Sequence, residues 1–287
     1  HIDFKFKGSA GKLITADLSY STYPESVPIV VFAHGFKGFK DWGAWPLAAE
    51  IFAAKRLPFF KFNFSHNGTT PNHLQDFKDL EGFGNNNFKI EYDDLGCVLD
   101  FIDKKAETFP FVWNGEVHLI GHSRGGAIAL LRASQDERIS KCATWASVSD
   151  LERYLEMKDF TEWKNDGVHT IVNGRTNQEM PIYFQFIEAF AENAELLRLG
   201  KQLENFERPL LIIHGEEDNV VPIADAHTIY NEVPHAILVE IEKADHTFNT
   251  KHPLTERKIT KAFAEVLTET IEFFLLYILL ISSYELS

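Results

Sequence analysis

The stretch VHLIGHSRGGAIALLRA, residues 117–133, decides how this chain is expected to fold. Its first four residues, three of which are apolar, are predicted to form a strand, and Ala127 to Ala133 are typical of a buried helix. Between them, GHSRG matches G-x-S-x-G, a pattern in which the serine lies on a sharp turn from a strand to a helix. The flanking glycines permit this turn because a Cβ there would collide with neighbouring backbone. The pattern therefore predicts that Ser123 is a nucleophile at a helix N-terminus.

Two residues downstream complete a candidate triad with Ser123. Asp218 follows a buried strand in the segment HGEEDNVVP, residues 214–222, and His246 follows the next strand. The order Ser, Asp, His is one of the orders in which such triads occur along a chain. Serine is a weak nucleophile until a base accepts its proton, and histidine titrates near neutrality. Because a buried carboxylate fixes the histidine tautomer, we predict Ser123 as nucleophile, His246 as base and Asp218 as the orienting acid.

Other residues compete for these roles. Glu217 and Asp225 are the nearest rivals of Asp218, and Asp150, at the end of an earlier strand, is a more distant one. His34 and His122 flank the candidate site in sequence, where packing and hydrogen bonding are the favoured roles. The histidines show no metal-ligand spacing such as H-E-x-x-H, so neither a metal nor another cofactor is expected.

Short apolar strands alternate with longer helical stretches along most of the chain. This alternation is typical of an α/β fold with a mostly parallel central sheet flanked by helices. Residues 3–20 are expected to form an antiparallel β-hairpin, and Asp41 is expected to cap the first long helix. The predicted strands are 28–33, 59–64, 117–120, 141–146, 209–214 and 236–241, and the main predicted helices are 42–55, 88–106 and 127–133.

The segment 150–199 interrupts this rhythm because it is much longer than a single crossover helix. It contains helical patterns at 151–157 and 182–199, with a hairpin-like stretch at 169–176 between them. Asn173-Gly174 supplies the turn signal of this hairpin. We predict a small cap over the site, within one domain whose core comprises residues 1–149 and 200–287.

Four segments resemble motifs of the α/β-hydrolase superfamily. They are HGFKGFKDWG (34–43), GHSRGG (121–126), HGEEDNVVP (214–222) and ADHTF (244–248). The resemblance covers nearly the whole chain and is strongest to the branch of dienelactone-hydrolase-like and serine-aminopeptidase-like esterases. The insertion and the segment NFSHNG (63–68) are also similar to bacterial cinnamoyl (feruloyl) esterases, although NFSHNG replaces their usual F-x-G-x-G-x-S pattern.

The resemblance implies an α/β-hydrolase fold and a serine hydrolase that cleaves carboxylic esters through an acyl-enzyme. It also implies that the backbone N–H groups of Phe36 and Arg124 form the oxyanion hole. A peptidase or amidase acting on short substrates is the main alternative. A non-catalytic, ligand-binding member of the same superfamily is a further one. The expected partner is a small-molecule ester, and the oligomeric state is left open.

Aromatic and basic side chains near these motifs are candidates for the substrate pocket. Trp145, Tyr183 and Phe184 are expected either to line an acyl pocket or to pack the cap against the core, and His34 is a further candidate for the lining. The Arg124 side chain is expected either to bind a substrate carboxylate or to form a structural salt bridge.

Composition excludes several other classes of protein. The chain has 28 basic and 42 acidic residues and a net charge of −14, which disfavours nucleic acids and anionic membranes. Only Cys97 and Cys142 are present, so we expect no disulfide framework and a reducing, cytoplasmic location. No signal-peptide pattern is visible in residues 1–7. The apolar run 273–281 is short for a bilayer span, and we predict a buried C-terminal helix there, with a membrane or partner contact as the alternative.

Overall fold

The computed structural model describes the backbone of residues 1–284 and the side chains of residues 1–275. Over this range the chain forms ten strands, which are β1 (Ile2–Lys7), β2 (Leu13–Ser19), β3 (Val27–Ala33), β4 (Phe59–Asn63), β5 (Trp113–His122), β6 (Ile139–Trp145), β7 (Val168–Asn173), β8 (Gln178–Tyr183), β9 (Leu210–Gly215) and β10 (Ile237–Ile241).

The same range contains ten α-helices and two short 3₁₀ helices, Ala106–Thr108 and Glu152–Glu156. The α-helices are α1 (Trp45–Ala54), α2 (Leu80–Gly84), α3 (Phe88–Lys105), α4 (Arg124–Ala133), α5 (Phe160–Asp166), α6 (Gln185–Glu192), α7 (Ala194–Leu197), α8 (Leu199–Leu203), α9 (Ala224–Glu232) and α10 (Lys261–Tyr284).

Eight strands form one sheet in the order β1-β2-β4-β3-β5-β6-β9-β10. The strands from β4 to β10 in this order pair in parallel, while β2 pairs antiparallel with both β1 and β4. The predicted fold class is therefore confirmed, as is the N-terminal hairpin. Because parallel strands share a direction, the loops after β3, β5, β9 and β10 meet at one edge of the sheet.

Helices cover both faces of this sheet. Helices α1 and α10 pack on one face through side chains such as Phe52 and Phe263, while α3, α4 and α9 pack on the other. The central strands β3 and β9 are buried along their whole length, which explains why they are continuous apolar runs rather than alternating ones.

The first long helix begins three residues later than the sequence suggests. Helix α1 starts at Trp45 with Ala44 as its N-cap residue, and no side chain caps it. Asp41, the predicted cap, instead accepts hydrogen bonds from the ammonium groups of Lys40 and Lys61. A buried ammonium group without a counter-charge costs more free energy than a helix end without a side-chain cap, and Asp41 pairs with two nearly buried lysines. The prediction of Asp41 as a helix cap is therefore wrong.

The insertion between β6 and β9 forms its own small layer. Strands β7 and β8 pair only with each other, so the predicted hairpin is present, with residues 174–177 between the paired Asn173 and Gln178. The predicted helix over 182–199 is wrong at its start, because Ile182 belongs to β8. Met180 and Ile182 are buried on one face of that strand, and helix α6 begins only at Gln185.

The chain ends its described part in helix α10. Phe273 and Phe274 are buried, as predicted for the start of the apolar run, whereas the side chains of 276–281 lie outside the described residues. Within the part that the structure describes, no helix is long and apolar enough to cross a membrane. Cys97 and Cys142 are both free thiols.

Candidate active site

Ser123 lies on a strained turn between β5 and α4. Its φ of 56° and ψ of −125° fall in a region that residues with a side chain rarely adopt. The turn is held by hydrogen bonds from Ser123 N to Trp145 O (2.9 Å) and from Gly126 N to Ser123 O (2.9 Å). A Cβ on Gly125 would lie 2.5 Å from Ala33 O and closer still to His34 O, so only glycine fits there. The backbone of β6 and of the loop after β3 therefore confines this turn.

Asp218 and His246 meet at the carboxyl edge of the sheet, as predicted. His246 Nδ1 lies 2.8 Å from Asp218 Oδ2. Because a carboxylate only accepts, Nδ1 carries the proton in this bond and the other ring nitrogen, Nε2, is left free to act as a base. The backbone N–H groups of Val220 and Val221 both donate to Asp218 Oδ1 at 2.8 Å, which fixes the carboxylate in turn.

The electrostatic setting keeps Asp218 ionised. Burial raises its pKa, but hydrogen bonds from His214 and His246 outweigh burial, and the net result is a pKa below the ordinary value of an aspartate. His214 Nε2 lies 3.3 Å from the same carboxylate oxygen that binds His246 and 2.8 Å from Val221 O. Sequence reasoning missed His214, although its position at the end of a buried strand was visible.

His122 positions the backbone of the histidine loop. Its Nε2 lies 2.9 Å from His246 O and donates to it. Burial, reinforced by the charge of His246, lowers the pKa of His122 to about 3, so its ring is neutral near pH 7. The predicted structural role of His122 is therefore matched by its contacts.

The loop after β3 lies directly against the serine. A Cβ on Gly35 would come within 2.8 Å of Ser123 Cβ, which shows how closely the two loops approach. Among the described residues, nothing accepts a hydrogen bond from the backbone N–H of Phe36 or of Arg124. Both groups are thus available as the two donors that the resemblance implies.

His34 supports this loop from beneath. Its Nδ1 lies 2.9 Å from Gly35 O, and its Nε2 accepts a long hydrogen bond (3.4 Å) from Phe64 N. Burial lowers the pKa of His34 to about 4, although the bond to Gly35 opposes this shift. His34 also lines the cavity described below, so it has both of the roles considered for it.

The Arg124 side chain forms a buried salt bridge. Its guanidinium donates to Glu91 on α3, and Asn86 Nδ2 donates to the same carboxylate oxygen at 2.7 Å. The guanidinium carbon also lies 4.0 Å from the centre of the Phe36 ring. Of the two expectations for this side chain, the structural salt bridge is therefore the one observed. Sequence reasoning missed Glu91, which lies on the buried side of a helix where a lone carboxylate is uncommon.

A cavity of about 700 Å³ opens between the sheet edge and the insertion. Ser123, His246, His122 and His34 line it from the core. The insertion contributes Arg153, Tyr154, Met157, Ile171, Asn173 and Arg175. This volume is in the range of ordinary small-molecule sites.

Three of the predicted pocket residues lie outside this cavity. Trp145 is fully buried in the core, where its Nε1 donates to Thr270 Oγ1 at 3.0 Å. The Tyr183 hydroxyl donates to Glu81 Oε2 at 2.7 Å on the surface. Phe184, directly after β8, packs with Phe160 and Trp163 of α5. Packing of the insertion against the core is therefore observed at Tyr183, which contacts α2, whereas Trp145 packs within the core and Phe184 within the insertion.

One cluster of described residues has a geometry that could hold a metal ion. One ligand atom from each of His1, Asp3 and Asp17 lies within 4.8 Å of the others. His1 precedes the edge strand β1, Asp3 lies on it, and Asp17 lies on the adjoining strand β2. Asp17 already accepts hydrogen bonds from Lys40 (2.5 Å) and Lys61 (2.6 Å). Two ammonium groups on this carboxylate disfavour a further cation, and none of the three residues lines the cavity.

The parallel sheet, the serine turn and the hydrogen-bonded Asp–His pair together define an α/β-hydrolase. Comparison with family models identifies a particular family within this superfamily. Residues 82–233, more than half of the chain, match the model of the BD-FAE family, and the chain belongs to that family.

Individual proteins extend this likeness over most of the chain. The putative esterase YitV of Bacillus subtilis is 24% identical over 214 residues, which cover 72% of this chain and 75% of that protein. The structure of Est1E from Butyrivibrio proteoclasticus with bound ferulic acid has a TM-score of 0.69 and 19% identity, covering 96% of this chain and 98% of that one. Dienelactone hydrolase from Anabaena variabilis has a TM-score of 0.60 and 18% identity, with the same coverage. The predicted superfamily is thus confirmed.

Proposed function

We propose that this protein is a serine carboxylesterase with Ser123 as nucleophile, His246 as general base and Asp218 as the residue that orients it. One observation carries the proposal. The bond between His246 Nδ1 and Asp218 (2.8 Å) leaves Nε2 free to act as a base, in a cavity that the histidine shares with Ser123 on its strained turn. The names of the esterase relatives support the same reaction.

The first half-reaction forms an acyl-enzyme. His246 Nε2 accepts the Ser123 hydroxyl proton while the serine oxygen attacks the ester carbonyl carbon. The carbonyl oxygen becomes negative, and the N–H groups of Phe36 and Arg124 donate to it. Such preorganised donors are worth about 3 kcal/mol each in the transition state. The imidazolium then returns the proton to the departing alcohol.

The second half-reaction regenerates the serine. Water enters the cavity, gives a proton to His246 Nε2 and attacks the acyl carbon. The tetrahedral intermediate collapses with protonation of the serine oxygen, and a carboxylic acid leaves. Asp218 stays ionised throughout and stabilises the imidazolium, in keeping with its lowered pKa.

We further propose that residues 150–199 act as a cap that shapes the substrate site. Strands β7 and β8 form a sheet separate from the core, and Ile171 and Asn173 on β7 line the cavity opposite Ser123. The segment is an insertion between two core strands, which is the usual place for a specificity element in an open α/β sheet.

A peptidase acting at a free amino terminus is the main alternative, and the charge of the cavity disfavours it. A substrate ammonium group needs a carboxylate beside it, and no Asp or Glu is among the described residues that line this cavity. Hydrolysis of aminoacyl anilides in preference to short acyl esters would favour the peptidase instead.

The test is substitution of the serine with a matched control. Ser123→Ala is expected to lower kcat on p-nitrophenyl esters by at least about a thousandfold and to abolish labelling by a fluorophosphonate probe. Ser134→Ala, at the other end of α4, removes an ordinary hydroxyl and should leave both readouts intact. Full hydrolysis by folded Ser123→Ala would refute the proposal.

A further inference from the structure

The charges that line the cavity are all positive. Lys37, Arg153 and Arg175 contribute to the wall, whereas no carboxylate does so in the part of the chain that the structure describes. The protein as a whole is acidic, with 42 acidic against 28 basic residues. The cavity is thus a local exception to the charge of the molecule.

One of these three cations already has a partner within the protein. The Arg153 guanidinium donates to both oxygens of Asp225, one of them at 3.3 Å, and Ser149 N and Oγ donate to the same carboxylate. This pair is half-buried and neutral as a unit. Arg153 is therefore part of the cavity wall, but the net positive charge of the wall comes from Lys37 and Arg175.

Arg175 and Lys37 lack such a partner. Across the described residues, no carboxylate oxygen lies within the 4.0 Å ion-pair distance of either side chain. The polar contact of the Arg175 guanidinium is with the backbone oxygen of Gln75 (3.3 Å), and the Lys37 ammonium lies 5.8 Å from the Phe36 ring centre. Both side chains therefore keep unused hydrogen-bond donors.

The two cations reach the cavity from different parts of the fold. Arg175 lies on the turn between β7 and β8, and Lys37 follows the oxyanion-loop residue Phe36. Asn173 lies beside Arg175; its Oδ1 accepts from Arg175 N at 3.0 Å, so its amide nitrogen remains a further donor on the cavity wall. An anion bound here would join the cap to the core.

At His252 the carboxylate of Asp76 does not cancel the charge of Arg175. Asp76 acts on His252, another residue of the wall, but Arg175 acts on it more strongly and in the opposite sense. Burial lowers the pKa of His252, so that ring is neutral near pH 7 and adds no charge. Partial burial also lowers the pKa of Lys37, although its side chain is exposed on one side.

We propose that the substrate of this protein is an ester that carries a carboxylate at a distance from the scissile bond, and that Arg175 and Lys37 bind this carboxylate. A guanidinium offers a planar pair of donors to a carboxylate, and the ammonium adds a point charge. This inference rests on the proposed esterase function and adds to it the charge of the substrate.

The test compares pairs of esters that differ in charge and little in shape. In the first pair, p-nitrophenyl hydrogen adipate is set against the p-nitrophenyl ester of adipic monoamide, so the anion lies on the acyl side. In the second pair, p-carboxyphenyl acetate is set against p-carbamoylphenyl acetate, so the anion lies on the leaving group. The readout is the ratio of kcat/KM within a pair, because effects common to both esters cancel.

We expect this ratio to fall at least about tenfold in the double variant Lys37→Gln/Arg175→Gln for one of the two pairs. In the unsubstituted protein the same ratio should decrease with added salt, since both cations are exposed. Lys164→Gln is the matched control, because Lys164 is an exposed cation of the same insertion that does not line the cavity. It should leave both ratios unchanged.

Failure of this inference and failure of the proposed function give different results. If the neutral esters are cleaved with dependence on Ser123 but neither ratio changes in the double variant, the anion site is refuted and the esterase stands. If no ester is cleaved with dependence on Ser123, both are refuted. A fall of the ratio in Lys164→Gln as large as in the double variant would assign the preference to general charge and would also refute the site.

Discussion

The serine turn and the insertion differ in what holds them together. The turn around Ser123 is confined by backbone atoms, with the position of Gly125 pressed against Ala33 O and buried neutral histidines beneath. The hairpin of β7 and β8 is a separate two-stranded sheet, and a Cβ on its turn residue Gly174 would meet no atom within 4 Å. The proposed nucleophile thus lies where the backbone leaves little room for substitution, whereas the turn of the proposed cap has room for a larger side chain.

The largest effect is expected from the triad acid. Asp218→Asn should lower kcat about ten-thousandfold, because an amide at this position favours the wrong tautomer of His246. Glu217→Gln, at the exposed neighbouring residue that was its rival, should change kcat less than about twofold. Steady-state kinetics on a p-nitrophenyl ester measures both. Equal losses in the two variants would contradict the assignment of Asp218.

The two glycines test the comparison of turn and insertion directly. Gly125→Ala places a Cβ against backbone oxygens that cannot move aside, and we expect it to lower the free energy of unfolding by about 3 kcal/mol or more. Gly174→Ala meets open space, and it should change that free energy by less than about 0.5 kcal/mol. Urea unfolding followed by circular dichroism gives both values.

Breaking an ion pair should also cost more stability in the core than in the insertion. Glu91→Gln leaves the buried Arg124 guanidinium without its counter-charge, so a loss of about 3 kcal/mol of stability is expected. The insertion offers a matched surface pair, Lys158 and Asp166, and Asp166→Asn should cost less than about 1 kcal/mol. Similar losses at the two sites would remove the distinction between a rigid core and a tolerant insertion.

The buried histidines of the core predict acid sensitivity. Burial lowers the pKa of His118 to about 3, and the charge of Lys141 adds to this effect. The unfolded chain, with an ordinary histidine pKa near 6.5, binds this proton first, so stability is complete above about pH 6.5 and falls as the pH drops toward 3. Between pH 7 and 5 this one histidine should account for a loss of about 2 kcal/mol.

His118→Asn tests this pH dependence, because the amide replaces the bond of Nδ1 to Ser140 Oγ (2.9 Å) without titrating. The variant should lose about 2 kcal/mol less than the original protein between pH 7 and 5. His169→Asn in the insertion is the comparison, and it should flatten the profile less because His169 is only partly buried. Unchanged profiles in both variants would place the acid sensitivity elsewhere.

Features set by neighbours in sequence were predictable, and features set by distant charges were not. Strand β5, the serine turn and the order of Asp218 and His246 along the chain follow from local sequence patterns. The fold class, and the edge of the sheet at which the candidate site lies, could therefore be predicted. Asp41 looked like a helix cap because the partner lysine Lys61 comes from another strand. The residues that line the pocket were the hardest to predict from sequence. Tyr183 and Arg175 lie close together in the chain, but only Arg175 lines the cavity.

The salt bridge of Arg124 has a consequence for the order in which activity is acquired during folding. Phe36 and Arg124 follow strands β3 and β5, and the Arg124 side chain contacts both Phe36 and, on α3, Glu91. A chain whose helix α3 has not yet docked lacks the carboxylate that holds the Arg124 guanidinium in place beside Phe36. Under the proposed function, docking of α3 would therefore help to order the two backbone donors, and ester cleavage should appear in refolding together with the packing of α3.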